Sequence, residues 1–474
     1  MSLLTHIFKY EWLNFIRNRF QLTMLVVVFL LGCYSIYYGH QEMEKQRAAI
    51  AVVIKQAQQE RQDQIKGFFA DTTSVDGKKA WQRSTVTRFA WNKQFYATAF
   101  EPGGFASMAT GQRDLQPYYY KLTAMSIFYQ LFQNEIANPQ KLAVGNFDLS
   151  FLFVYIFPLL IIALCYSVLS GDKDRGLINL LKSQSCALHH VVLFRLLFYF
   201  LIVVGLASGL CVISFVANHL EPTGQLILML SWIGIVFAYL MFWFAALFLL
   251  ISFNKTSTFN AMVGISIWLL LLIALPASLN IAISVTKPLN SAVLSGISRR
   301  TGVINEENDE NQKKVVREYL LQHPELNFKG LFDQNLSAKG FAAYTELNDQ
   351  KSAKLVEQFQ RRIIERERSA RLFDPINPAV STQAMLDHIA GVDLLAFQYF
   401  YAEVKSFHGS LVAFYYPKLF SDKNLTLTDL KTAPRFTFSP RQIDKGFLLR
   451  GFGLMLIGVS VLLLLGLKNI KSKT

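Results

Sequence analysis

Long apolar runs alternate with polar stretches along the chain, and six of the runs come close to or exceed the length of a membrane-crossing helix. Crossing the hydrocarbon core of a bilayer takes about 20 helical residues. The six runs are Leu22–Tyr38, Leu149–Leu169, Val191–Val216, Leu226–Phe253, Phe259–Val285 and Gly451–Leu467. So many in one chain argue for spans rather than buried helices of a soluble core. Ahead of the first run, Leu4, Phe8, Trp12 and Phe15 recur at helical spacing, with Lys9, Arg17 and Arg19 interspersed. That pattern predicts a helix lying in the headgroup region before the chain turns into the bilayer. The first run does not read as a cleaved signal peptide, because no small-residue cleavage pattern follows Tyr38.

Orientation follows from Lys and Arg in the short flanking segments. Lys9, Arg17 and Arg19 precede the first run; Lys173, Arg175 and Lys182 separate the second and third. Lys255 separates the fourth and fifth, and Lys468, Lys471 and Lys473 follow the sixth. The connection Asn218–Gln225 carries no Lys or Arg. Both termini are therefore expected in the cytoplasm. The expected fold class is an all-α polytopic membrane protein with six transmembrane helices, an N-terminal interfacial helix and two extracytoplasmic, largely helical domains. Its divisions would be the interfacial helix (1–20), a first span (21–40), a first extracytoplasmic domain (41–147) and a second span (148–170). A cytoplasmic segment (171–190), three spans (191–285), a second extracytoplasmic domain (286–445) and a sixth span with a cytoplasmic tail (446–474) follow.

The net charge of +14 is then partly topogenic, and no aromatic–basic stacking pattern marks a nucleic-acid surface. Three of the four cysteines, Cys33, Cys165 and Cys211, fall in spans and Cys186 in the cytoplasmic segment, so no disulfide framework or zinc spacing is expected. Within the polar segments, Gln41–Gly67 reads as an extension of the first membrane helix, and Asn311–His323, Ala342–Leu372 and Thr382–Leu411 read as helices. Pro158 and Pro276 should kink the second and fifth spans. The span centres hold no Asp, Glu, Lys or Arg, which an ion-coupled carrier would usually place there.

Catalytic motifs are missing. There is no phosphate-binding G-x-x-x-x-G-K-[ST], no H-E-x-x-H and no G-x-S-x-G. Asp114 and Asp393 could suggest acid–base work, but a solvated carboxylate or an ion pair is the commoner reading. The sequence nominates no catalytic residue and no metal ligand. The segment 171–190 is more informative. Asp172 and Asp174 precede the apolar residues Leu177, Ile178, Leu180 and Leu181, suiting the positive end of a short helix. Gly176 permits a bend or a close approach. Such a helix can dock into a groove on a soluble subunit or rest on lipid, and the residues alone favour neither.

The stretch Gly145-Asn146-Phe147-Asp148-Leu149-Ser150-Phe151, the later Tyr166-Ser167-Val168-Leu169-Ser170 and the charged segment after it resemble permease subunits of type-two ABC exporters. Gly111-Gln112-Arg113-Asp114-Leu115 with Pro117 is similar to the subgroup with large extracytoplasmic insertions after the first and fifth spans. Members commonly carry Glu-x-Glu-x-Gly-Thr where this chain has Asp172, Asp174, Gly176 and Leu177. The resemblance implies pairing with a second permease, the same or a similar chain, and with two copies of a separate ATPase. It also implies that the ATPase meets Asp172, Asp174, Arg175, Gly176, Leu177, Leu180, Leu181 and Gln184, together with the interfacial helix of Leu4, Phe8, Trp12 and Phe15.

The resulting expectation is a permease subunit in a bacterial inner membrane, surrounded by lipid, binding no cofactor itself while ATP and magnesium sit on its partner. An envelope partner at the outer domains fits the same reading. The alternative is a membrane-anchored scaffold whose outer domains hold an envelope complex without transport. A third reading is a membrane enzyme using Asp114 or Asp393.

Overall fold

The computed structural model describes residues 3–132, 146–177, 188–290, 296 and 309–472. Helix α1 (Leu3–Arg17) stops at Asn18, whose side chain accepts from the Gln21 amide and so caps the next helix. That helix, α2 (Arg19–Gly67), runs unbroken for 49 residues, about 73 Å at the standard rise. Only its first part can lie in a bilayer. The remainder carries the chain into a polar insertion containing α3 (Val75–Thr85), α4 (Thr87–Lys93), strands β1 (Tyr96–Ala99) and β2 (Tyr119–Leu122), and α5 (Ile127–Phe132). Four apolar helices follow: α6 (Leu149–Asp174), α7 (Leu188–Ala217), α8 (Pro222–Ser252) and α9 (Ser257–Thr286). A second polar insertion holds α10 (Asp309–Leu320), α11 (Leu336–Arg371), α12 (Pro378–Ala390), α13 (Leu394–Phe420) and α14 (Leu427–Thr432). The described chain closes with α15 (Lys445–Lys471).

Helices α2, α6, α7, α8, α9 and α15 are the six membrane spans. Burial decides their layout. In the most apolar stretch of α6 and α8, 67% and 61% of residues are buried, against 11% in α9 and 17% in α15. Helices α6 and α8 therefore form the bundle centre, and α9 and α15 leave most of their apolar surface exposed on its outside. Along α2 a stripe of Val28, Gly32, Ser35, Gly39, Met43, Gln46, Ile50 and Val53 is buried, at the three- and four-residue spacing of one helix face. Leu22, Val26, Leu30 and Tyr37 lie exposed on its other side. The stripe needs small residues: a Cβ on Gly39 would lie 1.9 Å from the Ser107 carbonyl oxygen.

Both span prolines sit just after a one-turn π-helical widening, Leu152–Ile156 in α6 and Leu270–Ala274 in α9. Proline removes an N–H and leaves carbonyls one turn earlier unpaired. Neighbouring side chains take their place. Tyr239 donates its hydroxyl to the Val154 carbonyl (2.8 Å) and Trp268 its indole N–H to that of Tyr155 (2.9 Å). Asn377, outside the bundle, donates to the Leu271 carbonyl (2.6 Å). Each break is thus satisfied by another element, as a bilayer interior demands.

The two insertions share one hydrophobic core. Trp91, Phe100, Leu122 and Phe128 from the first pack with Tyr319, Phe400, Tyr415, Tyr416 and Phe420 from the second. Each such buried side chain contributes about 1.5–3 kcal/mol. The Gly111–Leu115 motif docks the first insertion against the turn between α12 and α13. Gly111 has φ +52° and no room for a side chain, since a Cβ would meet Val392 Cγ2 at 2.5 Å. The Gln112 amide donates to the Val392 carbonyl (3.2 Å). Arg113 is wholly buried and among the described residues pairs with no carboxylate; it donates to Gln46 Oε1 (2.9 Å) and the Phe100 carbonyl (2.6 Å) and lies 4.6 Å over the Phe100 ring. Burial pulls its guanidinium down to a pKa of about 10. The helix expected over Thr382–Leu411 is divided in two by Gly391, at φ +66°. The β1–β2 pair was not anticipated.

Candidate functional site

The Lys- and Arg-rich end of the bundle brings α1, the end of α6 and the start of α7 together. Helix α6 terminates through Gly176, at φ +76°. The Gly176 amide donates to the Lys173 carbonyl (2.9 Å) and the Leu177 amide to that of Asp172 (2.8 Å). These two bonds define a Schellman end, which needs a left-handed residue at its centre. Among the described residues no atom lies within 4 Å of a Cβ built at Gly176, and its positive φ marks a conformational role.

Arg195, two turns into the described part of α7, is the hub. Its Nε pairs with Glu11 Oε1 of α1 (3.0 Å), and its Nη1 with Asp172 Oδ2 at the end of α6 (2.5 Å). The same Nη1 donates to the Val168 carbonyl (2.7 Å). Tyr199, one turn further along α7, donates to Glu11 Oε2 (3.4 Å), and Gln21 at the start of α2 donates to the Tyr199 hydroxyl (3.5 Å) and the Leu164 carbonyl (3.4 Å). One guanidinium thus ties three helices, and a polar chain extends the tie to a fourth. Burial pushes the Glu11 carboxyl above its ordinary value, with the Arg195 charge working against that rise.

On the other side the segment is tied to the connection between α8 and α9. Asp174 Oδ2 accepts from the Ser257 hydroxyl (2.6 Å) and amide (3.4 Å), placing a carboxylate at the positive end of α9. Lys173 Nζ donates to the Asn254 carbonyl (2.6 Å), and the Ser257 and Ser170 hydroxyl oxygens lie 2.9 Å apart.

The residues nominated from sequence divide accordingly. Asp172 and Asp174 are engaged within the chain. Arg175, Gly176 and Leu177 are exposed, Leu177 by 43%. Leu180, Leu181 and Gln184 lie outside the described residues. In α1, Phe15 is buried and Phe8 half-buried, with the Phe8 ring 5.6 Å edge-on from Phe198 of α7. Trp12 and Leu4 are 52% and 37% exposed. Glu11, Arg195, Tyr199 and Ser257 escaped the sequence reading, and Lys173 entered it only as an orienting charge. Arg195 carried a usable signal, as the single basic residue inside the run Val191–Val216.

The carboxylates considered for acid–base work sit elsewhere. Asp393 caps α13 by accepting from the Ala396 amide (3.0 Å) and also meets His388 Nδ1 (2.9 Å). His388 Nε2 accepts from the Asp444 amide (2.8 Å), so its proton lies on Nδ1 and is given to Asp393. Burial opposes the Asp393 charge, but the His388 bond and neighbouring donors hold its carboxyl below the ordinary range. Both imidazole nitrogens are used in bracing α12, α13 and the start of α15. Asp114 is half-buried in a cavity of about 310 Å³ shared with Asp148, Asp387 and Gln383. Asp148 caps α6, accepting from the Phe151 amide and the Thr110 amide (2.8 Å each). Among the described residues no cluster of His, Cys, Asp and Glu could hold a metal ion.

A family model described as ABC-2 family transporter protein matches residues 5–353, from the first turn of α1 into α11. A second, described as a domain of unknown function (DUF3526), matches residues 292–439, the greater part of the second insertion. No curated protein and no solved structure matches the chain.

Proposed function

The chain belongs to the ABC-2 transporter family and is a permease subunit of an ABC transporter that works with an ABC ATPase; from that premise we propose that it serves an ATP-driven exporter. The ATPase, present in two copies and carrying ATP and magnesium, docks on the basic face of the bundle. It contacts the exposed turn Arg175–Leu177 and the outer surface of α1 around Trp12. The carrying observation is the Arg195 hub, which fastens these two surfaces to α7. Asp172 and Asp174 act as the roots of the docking segment, transmitting force rather than touching the partner.

ATP-driven closure would press α1 and the 172–177 segment together. Arg195 carries that load into α7, while Asp174 and Lys173 carry it into the α8–α9 connection. The π-helical breaks in α6 and α9 supply places where rigid helices can bend, and Asn377 links the α9 break to the second insertion. The ligand state of the ATPase shifts this equilibrium only through differential contacts at the docking face. A second permease copy or similar chain completes the path, both termini face the cytoplasm of a bacterial inner membrane, and the two insertions form one extracytoplasmic domain. The test is co-expression with the cognate ATPase. Leu177→Asp should abolish co-purification and permease-stimulated ATP hydrolysis while leaving the melting temperature unchanged. Full co-purification of that variant would count against this docking face.

A further inference from the structure

A cavity of about 640 Å³ lies between the far part of α2, strand β1 and the extended segment 433–440 that leads to α15. Its size falls within the range of about 300–1,000 Å³ usual for ligand sites. Among the described residues the sheet has two strands, which leaves β1 a free edge. Register and bonding show which groups occupy that edge. The strands are antiparallel, with Thr98 opposite Tyr120, and the Phe100 amide donates to the Tyr118 carbonyl (2.8 Å). In such a ladder alternate residues turn their N–H and C=O toward the partner strand. Phe100, Thr98 and Tyr96 therefore face β2, while the backbone groups of Ala97 and Ala99 point away from it. Both alanines line the cavity, and among the described residues neither receives a hydrogen bond from the cavity side. Their methyl side chains leave the backbone approachable.

The opposite wall is held in place. Phe436 and Phe438 are stacked on each other and packed on Phe400, with Phe438 also 5.1 Å from Phe100. Arg435 and Thr437, which alternate with these rings, are exposed. Charge in the cleft is net positive: Arg61, donating to the Leu430 carbonyl (2.5 Å), and Arg435, against Glu101 at one end. Lys121 adds a cation at the margin, 5.1 Å over the Phe95 ring.

We propose that this cleft binds an extended acidic–apolar peptide segment of another protein, added to the free edge of β1 as a third strand. The peptide backbone would pair with Ala97 and Ala99, its apolar side chains would rest against Phe436 and Phe438, and its carboxylates would meet Arg61 and Arg435. Strand addition draws affinity from main-chain bonds and specificity from alternate side chains. The site does not depend on ATPase docking, so either reading can fail without the other.

The test uses the full-length chain purified in detergent and a pool of end-capped, dye-labelled hexapeptides alternating branched aliphatic and acidic residues. Members of the pool should bind, and methylating alternate backbone nitrogens of a bound member in one of the two registers should weaken it at least about tenfold. Ala97→Pro should do the same, because the N–H it removes faces the cleft rather than β2. Joint Arg61→Gln and Arg435→Gln should weaken acidic peptides and flatten their salt dependence. If no member of the pool binds, or both methylated registers bind as well as the parent, the proposal is overturned. It is equally overturned if decanoate displaces the peptide while Ala97→Pro changes nothing, which would make the cleft an amphiphile site. Should Ala97→Pro fail to fold, the methylated peptides still decide on the unaltered protein.

Discussion

Replacing Arg195 by methionine removes the guanidinium while keeping an apolar stem in its place. Glu11 Oε1 and Asp172 Oδ2, at 3.0 and 2.5 Å, then lose their shared cation. The three side chains are only 20%, 10% and 18% exposed, so water can replace little of what is lost. Removing one partner of a fully buried pair costs about 3–5 kcal/mol, and the residual exposure lowers the expectation here to about 2–4 kcal/mol. For a cooperative unit of about 150–250 residues this corresponds to a melting shift of about 4–16 °C. The sign with pH is also determined. Burial already raises the Glu11 carboxyl, and loss of Arg195 raises it further. A carboxyl raised in the folded state favours folding below its unfolded pKa and loses that contribution as pH climbs through the folded value. Arg195→Met should therefore be hurt more at about pH 8 than at about pH 5. Cys165 and Cys211 are fully buried and become reactive on unfolding, so melting can be followed with a thiol-reactive dye. Combining Arg195→Met with Glu11→Gln and Asp172→Asn should recover most of the loss. A shift smaller than about 1 °C, an equal shift at both pH values, or no recovery in the triple variant would refute the hub as described.

Two further outcomes follow from the insertions. Gly111→Ala meets both a left-handed backbone and a contact of 2.5 Å with Val392 Cγ2. It should cost about 1–3 kcal/mol and loosen the junction, read as faster hydrogen exchange in β1, β2 and the α12–α13 turn. Asp349 accepts from the Ser126 hydroxyl (2.6 Å) and the Ile127 amide (2.7 Å), joining α11 to α5. Burial pushes its carboxyl up to about 7 against the pull of those bonds, and burial raises neighbouring Glu346 as well. The contribution of Asp349 is greatest below about pH 4 and is lost as pH rises through about 7, with Glu346 acting in the same direction, so melting temperature should fall across that window. Asp349→Asn should flatten much of the slope; an unchanged slope would contradict the assignment.

The spans were legible because bilayer crossing imposes one length and one polarity on each helix, and all six runs coincide with long helices. Pro158 and Pro276 flagged the breaks in α6 and α9, though not the π-helical form nor the side chains that satisfy them. The Gly111–Leu115 motif was visible, but its docking against Val392 joins residues far apart in sequence. The same holds for Asp349 with Ser126, separated by 223 positions. Local periodicity carries no information about such pairs. Asp172 and Asp174 stood out as charges at the mouth of a span, and their type suggested a partner surface. Their actual partners, Arg195 and Ser257, lie on other helices, and the pairing became evident only once α6, α7 and α9 were placed together. The short β1–β2 pair left little periodic signal, with four residues in each strand.

Cross-linking from a single position tests the docking face most directly. With the natural cysteines replaced by serine, Leu177→Cys and, separately, Leu321→Cys in the second insertion would be treated in co-expressing cells with a short thiol-to-amine reagent. Both native side chains are exposed, Leu321 the more so, so a missing adduct at position 321 is not due to burial. The account predicts an adduct to the ATPase from position 177 and none from position 321. No adduct from 177, or equal adducts from both, would contradict it.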